Sequence, residues 1–302
     1  MSRFSVISKL VRHSAFSAFI SKNFPVIPVN VEISPSAACN AACPECLYIK
    51  KGYSRSGFMD TALLIKILEE LDFLGVKAVT WSGGGEPTLH PDFAKVILKC
   101  GKMSQGLFTN AKAAPEYNPL WFDWIRVTLT ENGENAPIEN IKKLRSCPTL
   151  GICINVKNDD REAIERALKI GEDVGADYVQ ARPVLNVDGK TTDISIPKID
   201  HPLFVMADYK FKDCGKRHEY SRCYGYHFVP FIWENGQVDA CGYMRHNSDY
   251  ALGDLQTESF MDILHKVPRC LPVSSDCQVC CKNHEINKFI NGILESEDVN
   301  FV

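Results

Sequence analysis

The amino-acid sequence predicts an α/β fold in which parallel strands are joined by crossover helices, followed by a small cysteine-rich segment. Three observations predict it. Short apolar strands alternate with amphipathic helices through the first two thirds of the chain, the connections between them are short, and the last third replaces that alternation with clustered cysteines. At 302 residues, with 45% hydrophobic and 24% charged content, the chain is long enough to bury one large core and one smaller one.

The first strand is the apolar run at residues 29–33. A helix over 61–74 follows, with Asp60 as its N-cap and Leu64, Ile67, Leu68 and Leu71 on one face. Residues 77–82 form the second strand, which delivers Gly83, Gly84 and Gly85. The alternation continues with a helix after Pro91, a strand at 106–109, a short helix at 119–122 and a strand at 125–130. A helix at 138–145, a strand at 151–156, a helix at 161–174 and a strand at 178–182 complete six strands.

The cysteines carry the chemistry. Cys39, Cys43 and Cys46 stand at C-x3-C-x2-C spacing directly after the first strand. Three soft thiolates on one loop can hold three irons of a cubane cluster and leave the fourth iron open to a small molecule. A zinc site completed by a fourth residue is the alternative, although zinc ribbons use paired C-x2-C knuckles. Gly84-Gly85-Glu86-Pro87 then follows at the end of the second strand.

Together these two motifs resemble the radical S-adenosylmethionine (radical SAM) family, over roughly residues 29–185. The resemblance implies a partial (β/α)6 barrel of the TIM type, with functional groups at the C-terminal ends of the strands. It also implies a 4Fe-4S cluster whose open iron chelates the amino and carboxylate groups of SAM, with the glycine turn meeting the amino group. The reduced cluster of that family cleaves SAM to methionine and a 5'-deoxyadenosyl radical, which removes hydrogen from a substrate. Gly84, Gly85, Glu86 and Pro87 are thus expected at the cofactor. At the strand ends, Thr130 and Asn155 or Asn158 are expected to face its ribose or methionine part, and Arg182 its carboxylate.

Two positions depart from the family pattern. Glu45 stands before the third cysteine, where an aromatic residue often meets the adenine, so Tyr48 becomes the candidate for that contact. The frequent Thr-Asn-Gly after the third strand reads Thr109-Asn110-Ala111, which puts its tight glycine turn in doubt.

A second set, Cys223, Cys241, Cys277 and Cys280, is spaced C-x17-C-x35-C-x2-C, and four thiolates can close around one cubane or one zinc. Cys281 competes with Cys280, and Cys214 and Cys270 lie near enough in sequence to compete as well. The set resembles the SPASM and twitch auxiliary domains appended to radical SAM barrels. Ile286 and Ile290 occupy two positions where the two-cluster form needs cysteine, so the resemblance implies the one-cluster twitch form and an auxiliary 4Fe-4S cluster. Leu252-Gly253-Asp254-Leu255 is similar to a Leu-Gly-Asn-Leu segment common there. Cys100, Cys147 and Cys153 read as small buried hydrophobes.

These readings divide the chain into an N-terminal extension (1–28), a barrel (29–200) and an auxiliary-cluster domain (201–302). The extension carries Arg3, Lys9, Arg12 and Lys22 with no acid before Glu32, and its apolar residues fall near helical spacing. An amphipathic helix across the bottom of the barrel is expected, with a targeting or membrane-surface role as the other reading.

A net charge of −3 gives no overall basic field and no signal for sequence-independent nucleic-acid binding. No apolar run reaches the roughly 18 residues of a membrane span. Thirteen cysteines at metal-ligand spacings, without a cleavable secretory signal, fit a reducing cytoplasm.

The expected activity is a two-electron dehydrogenation of a small polar metabolite, with the auxiliary cluster as electron acceptor and a low-potential flavodoxin- or ferredoxin-type donor as partner. Radical modification of a peptide or nucleotide is the alternative, and a non-catalytic iron-sulfur carrier or sensor the second alternative. Glu131, His227, Asp239, Tyr243 and His246 are candidate proton acceptors.

Overall fold

The computed structural model describes residues 5–156, 160–184, 199–206, 218–274, 277 and 283–295. The six expected strands form in order: β1 (Asn30–Ile33), β2 (Ala78–Trp81), β3 (Ser104–Thr109), β4 (Trp124–Leu129), β5 (Leu150–Val156) and β6 (Tyr178–Pro183). Each pairs in parallel with the next, which makes a partial (β/α)6 barrel.

Alternation along each strand sorts side chains into two faces. Val31, Ile33, Val79, Leu107, Ile125, Val127, Ile152, Ile154 and Val179 join one apolar core with Leu64, Ile67, Leu68 and Leu71 of α4 (Thr61–Leu74) and Ala163, Ile164 and Ala167 of α7 (Arg161–Asp173). The intervening residues, among them Glu32, Thr80, Arg126, Gln180 and Arg182, therefore line the concave face. Asp60 caps α4 by accepting from Leu63 N at 2.9 Å, and Gly75 ends it at φ +84°. Asp160 caps α7 through Ala163 N at 3.0 Å.

Beyond the six strands, β7 (Phe204–Met206) pairs in parallel with β6. At the opposite edge β9 (Phe231–Ile232) lies parallel to β1, and β10 (Gln237–Asp239) and β11 (Ala251–Asp254) continue antiparallel. The result is one ten-stranded sheet running from β11 to β7. A separate pair joins β8 (Arg222–Cys223) to β12 (Leu271–Pro272). Five of the six added strands are only two or three residues long, too short to show an alternating pattern in the sequence.

The N-terminal segment forms two short helices, α1 (Val6–Leu10) and α2 (Ser14–Ile20), where the sequence predicts one. Helices this short need tertiary contacts to persist. Leu10, Ala15, Phe19 and Val26 pack against Tyr224, Phe228, Ile286 and Ile290, and Phe16 stacks on Phe289 at 5.7 Å. Their partner is thus the C-terminal helix α9 (Asn283–Leu294) and the 224–228 turn, whose Phe228 carbonyl accepts from Val29 N and Asn30 N at the start of β1. The remaining helices are α3 (Leu47–Lys50), α5 (Phe93–Val96), α6 (Ile138–Lys143) and α8 (Phe260–Lys266). Among the described residues no helix is long and apolar enough to cross a membrane.

Candidate active site

The loop leaving β1 carries Cys39, Cys43 and Cys46, all half-buried free thiols. Cys46 N donates to Cys43 O at 3.1 Å and Cys46 caps α3, so the second and third cysteines share one tight turn. Arg55 donates to the carbonyls of Cys39 and Ala41 and pins the first half of the loop. Burial raises the Cys43 pKa, and the proximity of Cys39 and then Cys46 raises it further. Thiols that oppose one another's ionisation in this way are the set a cationic cluster stabilises. Three thiols on one loop, each able to take a different iron, are the donor set of a cubane. The donor set therefore fits a cluster.

The glycine turn docks on this loop through backbone. Gly84 N donates to Ser34 Oγ at 3.2 Å, and Glu86 N donates to Ala38 O at 2.8 Å. A Cβ on Gly83, at φ +133°, would stand 1.9 Å from Ser34 Oγ, and one on Gly85 would stand 2.2 Å from Ala38 O. Glycine is thus required at both positions by close approach.

Glu86 is only 3% exposed. Its Oε1 accepts from Thr88 Oγ1 and Thr109 Oγ1, each at 2.7 Å, and its Oε2 accepts from Asn110 N at 2.7 Å. Burial raises its pKa while these bonds oppose the rise. The carboxylate is an internal tie between the turn and the end of β3. Pro87 opens the short 3-10 turn that follows, and its missing N–H leaves no donor to satisfy.

Asn110 reaches the cysteine loop. Its Nδ2 donates to Asn40 Oδ1 at 2.9 Å and lies 3.7 Å from Cys39 Sγ, a sulfur hydrogen bond of the kind that tunes cluster potentials. The turn after β3 forms despite its missing glycine, because Ala111 adopts φ +54°. Its N–H donates to Thr109 Oγ1 at 3.0 Å and its carbonyl accepts from Asn140 Nδ2 at 3.0 Å.

The other expected contacts are spread around the barrel mouth. Thr130 is half-buried at the end of β4, with no side-chain capping bond. Asn155 and Arg182 are direct register partners on β5 and β6. Asn158 lies outside the described residues. Below them Arg126 donates to Gln180 Oε1 at 2.9 Å and stacks over Phe108 at 4.2 Å. Tyr48 is half-buried against the C-terminal segment: its hydroxyl donates to Gly242 O at 3.3 Å and its ring meets the edge of Trp233 at 5.8 Å. Tyr53 donates to Arg245 O at 3.0 Å and Lys51 to Tyr243 O at 2.9 Å. The α3 region is thereby fastened to residues 242–245, and Glu45 turns outward to pair with Lys50.

Cys223, Cys241 and Cys277 gather around one cluster of Tyr226, Ala240, Met244, Tyr250 and Leu271. Asn287 Nδ2 donates to Cys223 Sγ at 3.3 Å, Tyr243 N lies 3.5 Å from Cys241 Sγ, and the Tyr250 hydroxyl 3.7 Å from Cys277 Sγ. Cys280, Cys281 and Cys214 fall outside the described residues. Cys270 packs with the N-terminal cluster and accepts from Arg222 at 3.4 Å, apart from this group. Cys100 and Cys147 lie in the main core, and Cys153 is equally buried on the concave side of β5.

Of the candidate proton acceptors, Asp239, Tyr243 and His246 lie around Tyr48 and Tyr53, while Glu131 and His227 lie apart. Glu131 is exposed and pairs with Lys112 at 3.1 Å. His227 is buried against Phe19 at the N-terminal end of the sheet, bonded to Arg269 O at 2.9 Å, and desolvation pushes its pKa down to about 4. Asp239 accepts from Trp233 Nε1 at 2.7 Å and Gln237 Nε2 at 2.8 Å, with burial raising its pKa to about 6. His246 stacks edge-on against Tyr53 at 5.1 Å. Trp233, Glu234 and Arg245 gave no signal in sequence, because they become neighbours of the motifs only through the β1–β9 pairing, and Ser34 and Asn40 were missed because their partners, Gly84 and Asn110, lie 50 and 70 positions away.

A parallel partial barrel whose first loop presents three thiols, backed by a glycine turn, has the fold and the donor set of an iron-sulfur protein. Residues 33–181 match the family model described as the Radical SAM superfamily, and this portion of the chain is a radical SAM domain. The cofactors of that family are a 4Fe-4S cluster and SAM.

A segment of 83 residues is 35% identical to PqqA peptide cyclases of Methylorubrum extorquens and Methylorubrum populi. It covers 28% of this chain and 21% of those relatives, so the match spans about a fifth of their length. Among solved structures, Streptococcus suis SuiB bound to the precursor peptide SuiA aligns with a TM-score of 0.63 at 15% identity, over 94% of this chain and 77% of SuiB. Native anSMEcpe with bound AdoMet aligns with a TM-score of 0.57 at 14% identity, over 80% of this chain and 81% of that one. These two alignments establish a shared fold.

Proposed function

We propose that this radical SAM enzyme modifies a peptide. The observation that carries the reading is the 35% identity to PqqA peptide cyclases across 83 residues. SuiB, whose fold this chain shares, binds a precursor peptide, which supports the same substrate class. Dehydrogenation of a small polar metabolite, suggested by the one-cluster cysteine spacing, yields to this reading. Ligand spacing bears on where an electron can go, and carries little information about substrate. A non-catalytic carrier is disfavoured by a glycine turn kept at the cost of close backbone approach.

When bound, the reduced cluster and SAM supply a 5'-deoxyadenosyl radical that removes a hydrogen atom from the substrate. In this reading Cys39, Cys43 and Cys46 hold that cluster, and Asn110 tunes it through the Cys39 sulfur. Asn155, Arg182 and Thr130 present hydrogen-bonding groups to ligand at the strand ends. Cys223, Cys241 and Cys277, with Cys280 as fourth ligand, hold an auxiliary 4Fe-4S cluster in the domain at 201–302. A low-potential flavodoxin- or ferredoxin-type donor supplies electrons in a reducing cytoplasm.

The test is anaerobic incubation of reconstituted protein with SAM, reductant and either a peptide pool or a panel of polyols and aminocyclitols. Peptide-stimulated 5'-deoxyadenosine formation, with a mass change in a peptide, is expected. Oxidation of a polyol or aminocyclitol with every peptide untouched overturns the reading.

A further inference from the structure

Arg245 lies four residues beyond Cys241 and is only 7% exposed. One guanidinium nitrogen, Nη2, pairs with Glu234, and the planar group lies over Trp233 at 4.4 Å. The side chain is therefore locked in place. Its other terminal nitrogen, Nη1, is buried with no hydrogen-bond partner among the described residues, and so is Glu234 Oε2. An unmade bond on a buried charged group is costly, and such a donor calls for a ligand.

The location of this nitrogen indicates which ligand. Nη1 lies 3.6 Å from the point where a Cβ on Gly84 would stand, and Tyr48 Cδ1 lies 3.8 Å from the same point. Gly84 belongs to the turn that docks on the cysteine loop, and Tyr48 follows Cys46 by two residues. The spare donor thus borders the glycine turn at the point where Tyr48 also meets it. Glu86, the other charged group of the turn, is fully occupied by Thr88, Thr109 and Asn110.

SAM carries a sulfonium, an ammonium and a single anionic group, its carboxylate. A guanidinium repels the first two and accepts only the third, by charge-assisted hydrogen bonding. We propose that Arg245 Nη1 holds the SAM carboxylate, with Glu234 and Trp233 as positioning residues. This places on the C-terminal segment a contact that the sequence motifs suggested for Arg182. The cofactor would then be gripped from both halves of the chain, by the glycine turn and by the segment that carries Cys241. The inference rests on the radical SAM domain and is independent of the substrate.

The test compares the affinities of SAM and decarboxylated SAM, by anaerobic equilibrium dialysis, for reconstituted wild type, Arg245→Gln and Arg245→Lys. Iron content and near-ultraviolet circular dichroism verify the fold. Arg245→Gln should weaken SAM about tenfold, the loss expected for one charge-assisted bond, and leave decarboxylated SAM unchanged. Unchanged SAM affinity in Arg245→Gln overturns the proposal. Equal losses for both ligands overturn it too, since they indicate a structural role. Should Arg245→Gln fail to fold, Arg245→Lys is judged by the same selective loss of SAM over decarboxylated SAM.

Discussion

Glu86 Oε2 accepts the backbone N–H of Asn110 at 2.7 Å, joining the end of β3 to the glycine turn. Asn110 in turn approaches Cys39 Sγ at 3.7 Å. A buried carboxylate thereby sets the position of a donor to a cluster sulfur. Glu86→Ala should leave those buried donors unpaired, destabilise the chain by about 2–4 kcal/mol and lower iron uptake. Thermal melts and iron analysis of the same preparations check both effects.

The glycine turn separates into tolerant and intolerant positions. A Cβ on Gly85 would stand 2.2 Å from a backbone carbonyl, whereas one on Gly84 has 3.5 Å to its nearest neighbour. Gly85→Ala should abolish cluster assembly and Gly84→Ala should permit it. Cluster absorbance after anaerobic reconstitution distinguishes the two variants.

Ala111 holds a left-handed conformation that costs an L-residue about 1–2 kcal/mol, against a glycine entropy penalty of about 0.5–1 kcal/mol. Ala111→Gly should therefore raise stability by up to about 1 kcal/mol and Tm by about 2 °C. Calorimetry of the two proteins at one pH measures it.

Two buried groups act on pH stability with opposite sign. Asp239, raised from 3.8 to about 6, binds protons more tightly in the folded state, so its contribution is present below pH 4 and is lost as pH rises to 6. His227, lowered from 6.5 to about 4, does the reverse: its contribution is present above pH 6.5 and is lost as pH falls to 4. Each amounts to up to about 3 kcal/mol at 1.36 kcal/mol per pKa unit, so the two largely cancel. Asp239→Asn should unmask stability that rises with pH, and His227→Gln stability that falls. Urea unfolding of the cluster-free chain between pH 4.5 and 7 should show these opposed slopes.

The two cysteine sets should come apart on mutation. A Cys39, Cys43, Cys46 triple-alanine variant should drop from about eight irons per chain to about four and lose 5'-deoxyadenosine formation. Cys277→Ala should retain some SAM cleavage while halting substrate conversion. Normal turnover by Cys277→Ala would dismiss an electron-accepting role for the second set, and zinc in place of its four irons would make that set structural.

The barrel was legible because its signals are local and repeated. Asp60 capping α4 and the apolar run of β5 each state their structure within a few residues. The three thiols and the glycine turn were legible for a similar reason, as close approach and metal binding demand fixed residue types at fixed spacing. The link between Tyr48 and Gly242 was not, because it spans 194 positions and depends on a two-residue strand, β9. The N-terminal helices were foreseen as amphipathic, but hydrophobic periodicity says that a face is buried without naming its partner. The break at residues 11–13 was missed because no proline or glycine marks it.

The hairpin that precedes Cys241 is hydrogen-bonded to β1, the strand whose end becomes the first cysteine loop. A single ladder of backbone bonds therefore runs beneath both sulfur-bearing regions, and Tyr48, Lys51 and Tyr53 fasten them again above it. Among the described residues these bonds tie the two regions together from both sides, so the distance an electron would cross between them is built into the sheet rather than left to a loop.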